Sequence, residues 1–220
     1  MKTVFLHGLG QTAQDWEGVI CRTSLADVEC PELFSLSKDG ITYPHIFAGL
    51  EKRYADSKEP LCLCGLSLGA LLALDYTIRH RNQVAYLIVI GAQYQSPTLL
   101  VDLQNLAFRC MPEKAFESIG ISKKDTITLA HSMRLLDFRQ GLKDVLCPVT
   151  ILCGEKDQAN RKAAEQLAMF LPQSELHIIP GVGHEVNKCA PEAIAAILNK
   201  DIIDMSQKNR GYYGTDCSGI

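Results

Sequence analysis

The sequence predicts an α/β fold: a mostly parallel sheet of about six strands, helices on both faces in three layers, and a small helical cap. Short apolar runs alternate with helix-length amphipathic segments along most of the chain. This alternation is typical of parallel strands covered by helices. One long stretch interrupts it and predicts the cap. The 220 residues, 47% of them hydrophobic, suit a single domain with one sizeable core.

Six apolar runs are predicted as strands, at residues 3–6, 27–30 (the weakest), 61–64, 84–90, 149–153 and 176–179. Two segments place apolar residues on one helical face: Ile46, Phe47, Leu50 and Tyr54 behind Pro44, and Ala163, Leu167, Phe170 and Leu171 before Pro172. Residues 94–147 contain only helix-like pieces. We therefore predict a core of residues 1–93 and 148–207, a cap at 94–147 and a tail without periodicity at 208–220.

Charge and composition narrow the classes of partner. The 22 Lys and Arg against 25 Asp and Glu give a net charge of −3, and no long run of one sign is present. We expect no nucleic-acid partner. The first apolar run is too short for a signal peptide and no run could span a bilayer, so we expect no membrane association and a cytoplasmic location. Nine cysteines without zinc spacing predict reduced thiols and no metal site. We also expect no cofactor.

A glycine-flanked serine follows the third predicted strand. Gly65-Leu66-Ser67-Leu68-Gly69 comes directly after residues 61–64 and opens an apolar helix. Glycines on both sides permit a sharp turn that lifts a serine hydroxyl away from the sheet. The structural alternative is a serine that caps the helix. The strand–turn–helix context favours a nucleophile at Ser67.

A serine nucleophile needs a base, and the chain offers six histidines: His7, His45, His80, His131, His177 and His184. His184 follows the glycine-rich turn at residues 180–183, immediately after the last predicted strand. Such a turn can project an imidazole over the carboxyl edge of the sheet. His184 is the predicted base.

The second nitrogen of that imidazole needs an acceptor. Asp157 ends the loop Gly154-Glu155-Lys156-Asp157 after the fifth predicted strand, at the same sheet edge. Asp157 could instead cap the following helix, and Glu155 competes for the same role. The chain order Ser67, Asp157, His184 matches that of one hydrolase fold and differs from the orders of two protease folds.

Two further predictions complete the site. The loop His7-Gly8-Leu9-Gly10 follows the first strand, so the backbone N–H groups of Leu9 and Leu68 are the predicted oxyanion donors. The cap carries more apolar surface than its own packing needs. We expect part of it to face Ser67 as a substrate pocket, with Leu99, Leu103, Leu106 and Met133 as its residues.

With these residues in place, the chain resembles the α/β-hydrolase family over nearly all of its length. The resemblance rests on residues 7–10, 65–69, 154–157 and 181–184. It implies an esterase or thioesterase that acts on a small-molecule substrate, but it does not select that substrate. The prediction of a small, largely apolar acyl group comes from the apolar residues of the cap. Family members usually have one or two strands before the oxyanion loop, whereas here that loop begins at His7, which implies a minimal sheet.

Two alternatives stay open. Gly8-Leu9-Gly10-Gln11-Thr12-Ala13, with Asp27 and Glu29 some twenty residues on, fits a nicotinamide-dinucleotide site of an oxidoreductase. That interpretation leaves the serine, aspartate and histidine loops unused. The other alternative is a ligand-binding protein that keeps the hydrolase fold without turnover.

Overall fold

The computed structural model describes residues 1–96, 98–171 and 173–200, and the side chains at 99, 100, 103, 104 and 117–119 are not described. Six parallel strands form one sheet in the order β2-β1-β3-β4-β5-β6. Their bounds are β1 Lys2–Leu6, β2 Val28–Glu29, β3 Leu61–Leu66, β4 Val84–Ile90, β5 Val149–Gly154 and β6 Ser174–Ile179. The predicted fold class is confirmed, and the weak strand at 27–30 shortens to two residues.

Eight helices accompany the sheet in the described ranges. They are α1 Glu17–Ile20, α2 Tyr43–Tyr54, α3 Leu68–Arg79, α4 Thr98–Cys110, α5 Lys123–Ser132, α6 Gln158–Phe170, α7 Val186–Cys189 and α8 at 191–200. Short 3₁₀ turns lie at Ala13–Trp16, Leu33–Ser35, Glu113–Ile119 and Leu142–Asp144. None of these described helices is long and apolar enough to cross a membrane.

Alternate residues of the strands build two apolar clusters, one on each face of the sheet. Val4, Leu63 and Val89 belong to the cluster covered by α2, α3 and α6. Phe5 and Ile88 belong to the opposite cluster, which α1, α7 and α8 cover. Because successive strand residues point to opposite faces, both faces of a buried sheet must be apolar, and the three-layer arrangement follows.

The residues that the sequence predicted on the inner faces of α2 and α6 are buried, with the exception of Phe170. All four residues named on α2 are buried, as are Ala163 and Leu167 on α6. Phe170 is 51% exposed, contrary to the prediction. It is the last residue of α6, and the chain then leaves the helix so that Leu171 takes the inner place. The Phe170 ring instead contacts the Tyr94 ring in a T-shaped arrangement, with ring centroids 5.5 Å apart.

The segment between β4 and β5 leaves and rejoins the core through a narrow neck. Gln95 and Asp137 form an antiparallel bridge, and the Phe138 N–H donates to the Tyr94 carbonyl at 2.9 Å. Between these points α4 packs against α5. The division into core, cap and tail stays a prediction, and the tail at 208–220 lies outside the described residues.

Candidate active site

Ser67 lies at the turn from β3 to α3 in a strained backbone conformation. Its φ of 54° and ψ of −112° are rare for a residue with a side chain. A Cβ on Gly69 would lie 2.0 Å from the Leu6 carbonyl oxygen, and one on Gly65 would lie 2.3 Å from the Gly69 carbonyl oxygen. Both glycines are therefore required. Ser67 occupies the N-cap position but makes no capping hydrogen bond through its side chain.

His184 lies in the loop between β6 and α7, and its side chain is 39% exposed. The His184 Nδ1 atom is 2.7 Å from the Asp157 Oδ2 atom. Gly91, at the end of β4, contacts the same pair: a Cβ there would lie 2.8 Å from Cε1 of the imidazole and 3.3 Å from Asp157 Oδ2. The absence of a Cβ at Gly91 thus leaves room for both the imidazole and the carboxylate.

Asp157 is the N-cap residue of α6, yet its side chain makes no capping bond. The carboxylate is almost fully buried and turned to His184. The Asn160 Nδ2 atom also lies 2.9 Å from each carboxylate oxygen. Burial by itself raises the pKa of Asp157, but the hydrogen bonds from His184 and Asn160 outweigh it and hold the pKa below its usual range. The carboxylate is therefore ionised at neutral pH.

Glu155, the competing carboxylate, lies elsewhere in the same loop. It is exposed, and its Oε2 atom accepts a hydrogen bond from the Gly181 N–H at 2.8 Å. Gly181 has a φ of 75°, so Glu155 holds a tight turn of the histidine loop rather than the imidazole. Two of the other histidines have carboxylate neighbours of their own: His80, at the end of α3, contacts Glu51, and His177, on β6, contacts Glu175.

The loop after β1 places Leu9 beside Ser67, and Leu68 is the first residue of α3. N–H groups in the first turn of a helix have no partner within the helix, so the Leu68 N–H is available to an oxyanion. A Cβ on Gly8 would lie 3.5 Å from the Ser67 Cβ, which shows how closely the loop approaches the serine. The side chain of Gln11 accepts from the Gly8 N–H and donates to Glu185, next to His184.

His7 is a buried residue of this site for which the sequence offered no explanation. Its Nδ1 atom is 2.9 Å from the Gly8 carbonyl oxygen, and its Nε2 atom accepts from the Leu33 N–H at 3.1 Å. Only the neutral ring with the proton on Nδ1 satisfies both partners. Burial lowers the pKa of His7, although Gly8 and two carboxylates act in the opposite direction. The neutral imidazole joins the loop after β1 to the segment after β2.

Ser67, Asp157 and His184 line one pocket of about 410 Å³. Its lining residues are Leu9, Ser67, Leu68, Leu71, Gly91, Gln93, Ser96, Val101, Met133, Asp157, Ala159, Asn160 and His184. Of the four predicted pocket residues, Met133 is among them, and the side chains of Leu99 and Leu103 lie outside the described residues. Leu106 is 58% exposed, because α4 turns Val101 and Asn105 inward and places Leu106 on its outer face.

The described lining of this pocket contains no Lys or Arg. A further cavity, of about 560 Å³, lies between α2, α3 and the neck, where Asp75 pairs with Arg79, and it includes none of the three residues Ser67, Asp157 and His184. In the ranges that the structure describes, no group of three or more His, Cys, Asp or Glu side chains could hold a metal ion.

The sequence matches the alpha/beta hydrolase family over residues 3–197. The chain belongs to that family. It is 26% identical to the pimeloyl-[acyl-carrier protein] methyl ester esterase of Aromatoleum aromaticum, over 91% of this chain and 97% of that protein. Among solved structures, it is similar to a thermophilic esterase from Thermogutta terrifontis (TM-score 0.76, 18% identity, 93% and 90% of the two chains) and to MenH from S. aureus (TM-score 0.75, 18% identity, 90% and 92%).

The predicted family and the prediction of an enzyme with this fold are thus confirmed. The dinucleotide alternative loses its structural basis. A pyrophosphate site needs a helix N-terminus after the glycine loop, whereas here a 3₁₀ turn at Ala13–Trp16 and the four-residue helix α1 follow. Glu29, one of the two carboxylates that favoured the dinucleotide alternative, is paired with Lys2 and Arg53.

Proposed function

We propose that this hydrolase is a serine esterase with Ser67 as nucleophile, His184 as general base and Asp157 as the residue that orients the imidazole. One observation carries the proposal. Ser67 and the hydrogen-bonded pair His184–Asp157 line the same pocket.

The reaction would proceed through an acyl-enzyme. The Ser67 hydroxyl attacks the substrate carbonyl carbon while His184 takes its proton, and the backbone N–H groups of Leu9 and Leu68 stabilise the oxyanion. Collapse of the tetrahedral intermediate breaks the bond to the alcohol or thiol, which leaves with the proton from His184. Water then attacks the acyl-enzyme by the same route, which releases the acid and restores the serine.

The substrate class follows from the pocket. Its apolar residues Leu9, Leu71, Val101 and Met133 suit an acyl group of short to medium length, and without Lys or Arg in the described lining we propose an uncharged one. Each accommodated methylene would contribute up to about 0.8 kcal/mol. The Aromatoleum relative is named for a methyl ester on a carrier protein, which supports the ester class; a thioester is the other leaving group that we propose to test.

The test uses p-nitrophenyl esters and matching thioesters with acyl chains from acetyl to dodecanoyl. We expect kcat/KM to rise over the first carbons and then fall as the pocket fills. Ser67→Ala should lose several orders of magnitude in kcat and keep its fold, while the surface substitution Ser57→Ala should retain full activity. Wild-type activity in Ser67→Ala would contradict the mechanism, and a monotonic rise to the longest chain would contradict the pocket.

A ligand-binding protein without turnover is the alternative outcome, which a folded wild type with no activity on any ester would favour.

For the location we propose the cytoplasm. No disulfide joins the cysteines in the described ranges, which fits a reducing compartment.

A further inference from the structure

A side-chain amide lies directly behind the proposed acid–base pair. Asn160, in the first turn of α6, is three residues after Asp157, and residues at this spacing are neighbours on a helix surface. Its Nδ2 atom is 2.9 Å from both oxygens of the Asp157 carboxylate and 3.1 Å from the His184 Nδ1 atom. The amide therefore contacts the carboxylate and imidazole together.

A second amide fixes the orientation of the first. The Gln93 Nε2 atom, in the segment that leads from β4 to the cap, is 2.7 Å from the Asn160 Oδ1 atom and 3.0 Å from the Ala159 carbonyl oxygen. An amide nitrogen can only donate, so it must face the oxygen of Asn160. This turns the Asn160 nitrogen toward Asp157.

We propose that Asn160 is a positioning residue of the catalytic centre, which holds the Asp157 carboxylate so that Oδ2 stays on His184, and that Gln93 acts through Asn160. The proposal rests on the proposed function. It adds the hydrogen-bonded pair Gln93–Asn160 to the three residues of the mechanism. Through this pair, the start of the cap is linked to Asp157.

The physical reason is the freedom of a carboxylate. Rotation of an aspartate carboxyl about its last bond has no sharp minimum, so a single hydrogen bond to the imidazole leaves the plane of the group poorly fixed. A donor shared between both oxygens restricts that rotation. The amide also takes up part of the carboxylate charge, which agrees with its place after burial and His184 among the causes that set the pKa of Asp157.

This charge sharing gives a readout that a merely structural residue would not affect. Without the amide, the full carboxylate charge acts on the catalytic centre, so the acid limb of the pH–rate profile should move to higher pH. Ionisable side chains on the surrounding elements include His184 on the loop, Cys153 on β5, and Arg161, which pairs with Glu165 on α6. None of these is changed by substitution of Asn160.

The experiment compares the wild type with Asn160→Ala, Asn160→Asp, Gln93→Ala and the double alanine variant. The control is Gln158→Ala, which removes an exposed amide from the same helix turn. Two probes are used: kcat and KM on p-nitrophenyl butanoate, and the rate at which a fluorophosphonate labels Ser67, both as a function of pH. Thermal unfolding checks that each variant is folded.

For Asn160→Ala we expect kcat and the labelling rate to fall about 10- to 100-fold, the size of a lost hydrogen bond to a charged group, with KM little changed. In Gln93→Ala, kcat and the labelling rate should fall less. The double variant should be no slower than Asn160→Ala, because Gln93 acts through Asn160. The midpoint of the acid limb should move to higher pH in Asn160→Ala, and further in Asn160→Asp, where a second carboxylate faces His184.

Wild-type rates and an unchanged acid midpoint in Asn160→Ala would overturn the inference while leaving the proposed function in place. If Asn160→Ala unfolds, the near-isosteric Asn160→Asp decides, and an unchanged midpoint in that variant overturns the inference. A wild type that reacts with neither probe would overturn both this inference and the proposed function.

Discussion

Two helix N-caps in this protein carry side chains that do not cap. Ser67 precedes α3 and Asp157 precedes α6, and serine and aspartate at such positions normally accept a hydrogen bond from a backbone N–H of the first helical turn. Here the Asp157 carboxylate bonds to His184 and Asn160 instead. Neither side chain makes the ordinary capping hydrogen bond, which is worth about 1 kcal/mol.

The first prediction at the scale of residues is that Asp157, and not Glu155, orients the imidazole. Asp157→Asn should lower kcat on the order of 10⁴-fold if the serine-protease precedent transfers, because the amide favours the wrong imidazole tautomer. Glu155→Gln should stay near wild type, since its contact is the Gly181 N–H, to which a glutamine oxygen can also bond. Steady-state kinetics of the two variants decide the matter, and the reverse ranking would assign the orienting role to Glu155.

His7 predicts how stability depends on pH. Burial holds its pKa below the usual 6.5 in the folded state, so the unfolded chain binds the proton more readily. The stability due to the neutral ring is therefore complete above about pH 6.5 and is lost as the pH falls through the lowered folded-state value. Denaturant unfolding from pH 7.5 down to about pH 5 should show this loss.

The matched variants are His7→Asn, which keeps a donor for the Gly8 carbonyl oxygen, and His177→Asn on the surface of β6. His7→Asn should be less stable at neutral pH and should show a weaker dependence of the unfolding free energy on pH. His177→Asn should keep the wild-type slope. Equal slopes in the wild type and His7→Asn would show that the buried ring does not contribute.

At the scale of elements, the site depends on how closely loops from neighbouring strands approach. A Cβ on Gly154, at the end of β5, would lie 2.0 Å from the Gly183 carbonyl oxygen, and the Lys156 N–H donates to the Val182 carbonyl at 2.8 Å. The aspartate and histidine loops are thus packed backbone against backbone. This contact, rather than either side chain, sets the distance across which Asp157 and His184 meet.

A substitution of Gly91, at the end of β4, tests the importance of this close packing. Gly91→Ala should cost about 1 kcal/mol in stability because of its φ of 58°, and should lower kcat by about 100-fold because the new methyl group displaces His184. Gly120→Ala is the control: its φ is 72°, but a Cβ there would meet no atom within 4 Å. In thermal unfolding, Gly120→Ala should show a similar loss of stability. In kinetic assays it should keep the wild-type kcat. Equal kcat in the two variants would refute the role of Gly91.

The sequence predicted the elements better than the contacts between them. Strands with apolar runs, such as β3 and β4, were placed to within about two residues because burial on both faces leaves an uninterrupted apolar signal. Phe170 was misplaced because periodicity does not show where a helix stops. Gln93 and Asn160 were missed, since they are 67 residues apart and only the approach of two loops brings them together.

At the scale of the whole molecule, a parallel sheet brings the chemistry to one edge. The carboxyl ends of β1, β3, β5 and β6 precede the loops that carry Leu9, Ser67, Asp157 and His184, and the helical segment after β4 adds Met133 to the pocket. Sites in open parallel sheets form at this edge because all strands end there. Strand order could therefore predict which residues meet, whereas the pocket wall depends on the register of α4, which the sequence pattern did not reveal.

The central claim is that Ser67 is a nucleophile activated by His184 and Asp157. It is tested most directly by incubating the folded protein with a fluorophosphonate and locating the adduct by peptide mass spectrometry. We predict one adduct per chain, on Ser67, with labelling strongly slowed in Asp157→Asn and absent in Ser67→Ala. A folded wild type that stays unlabelled, or an adduct that persists in Ser67→Ala, would contradict it.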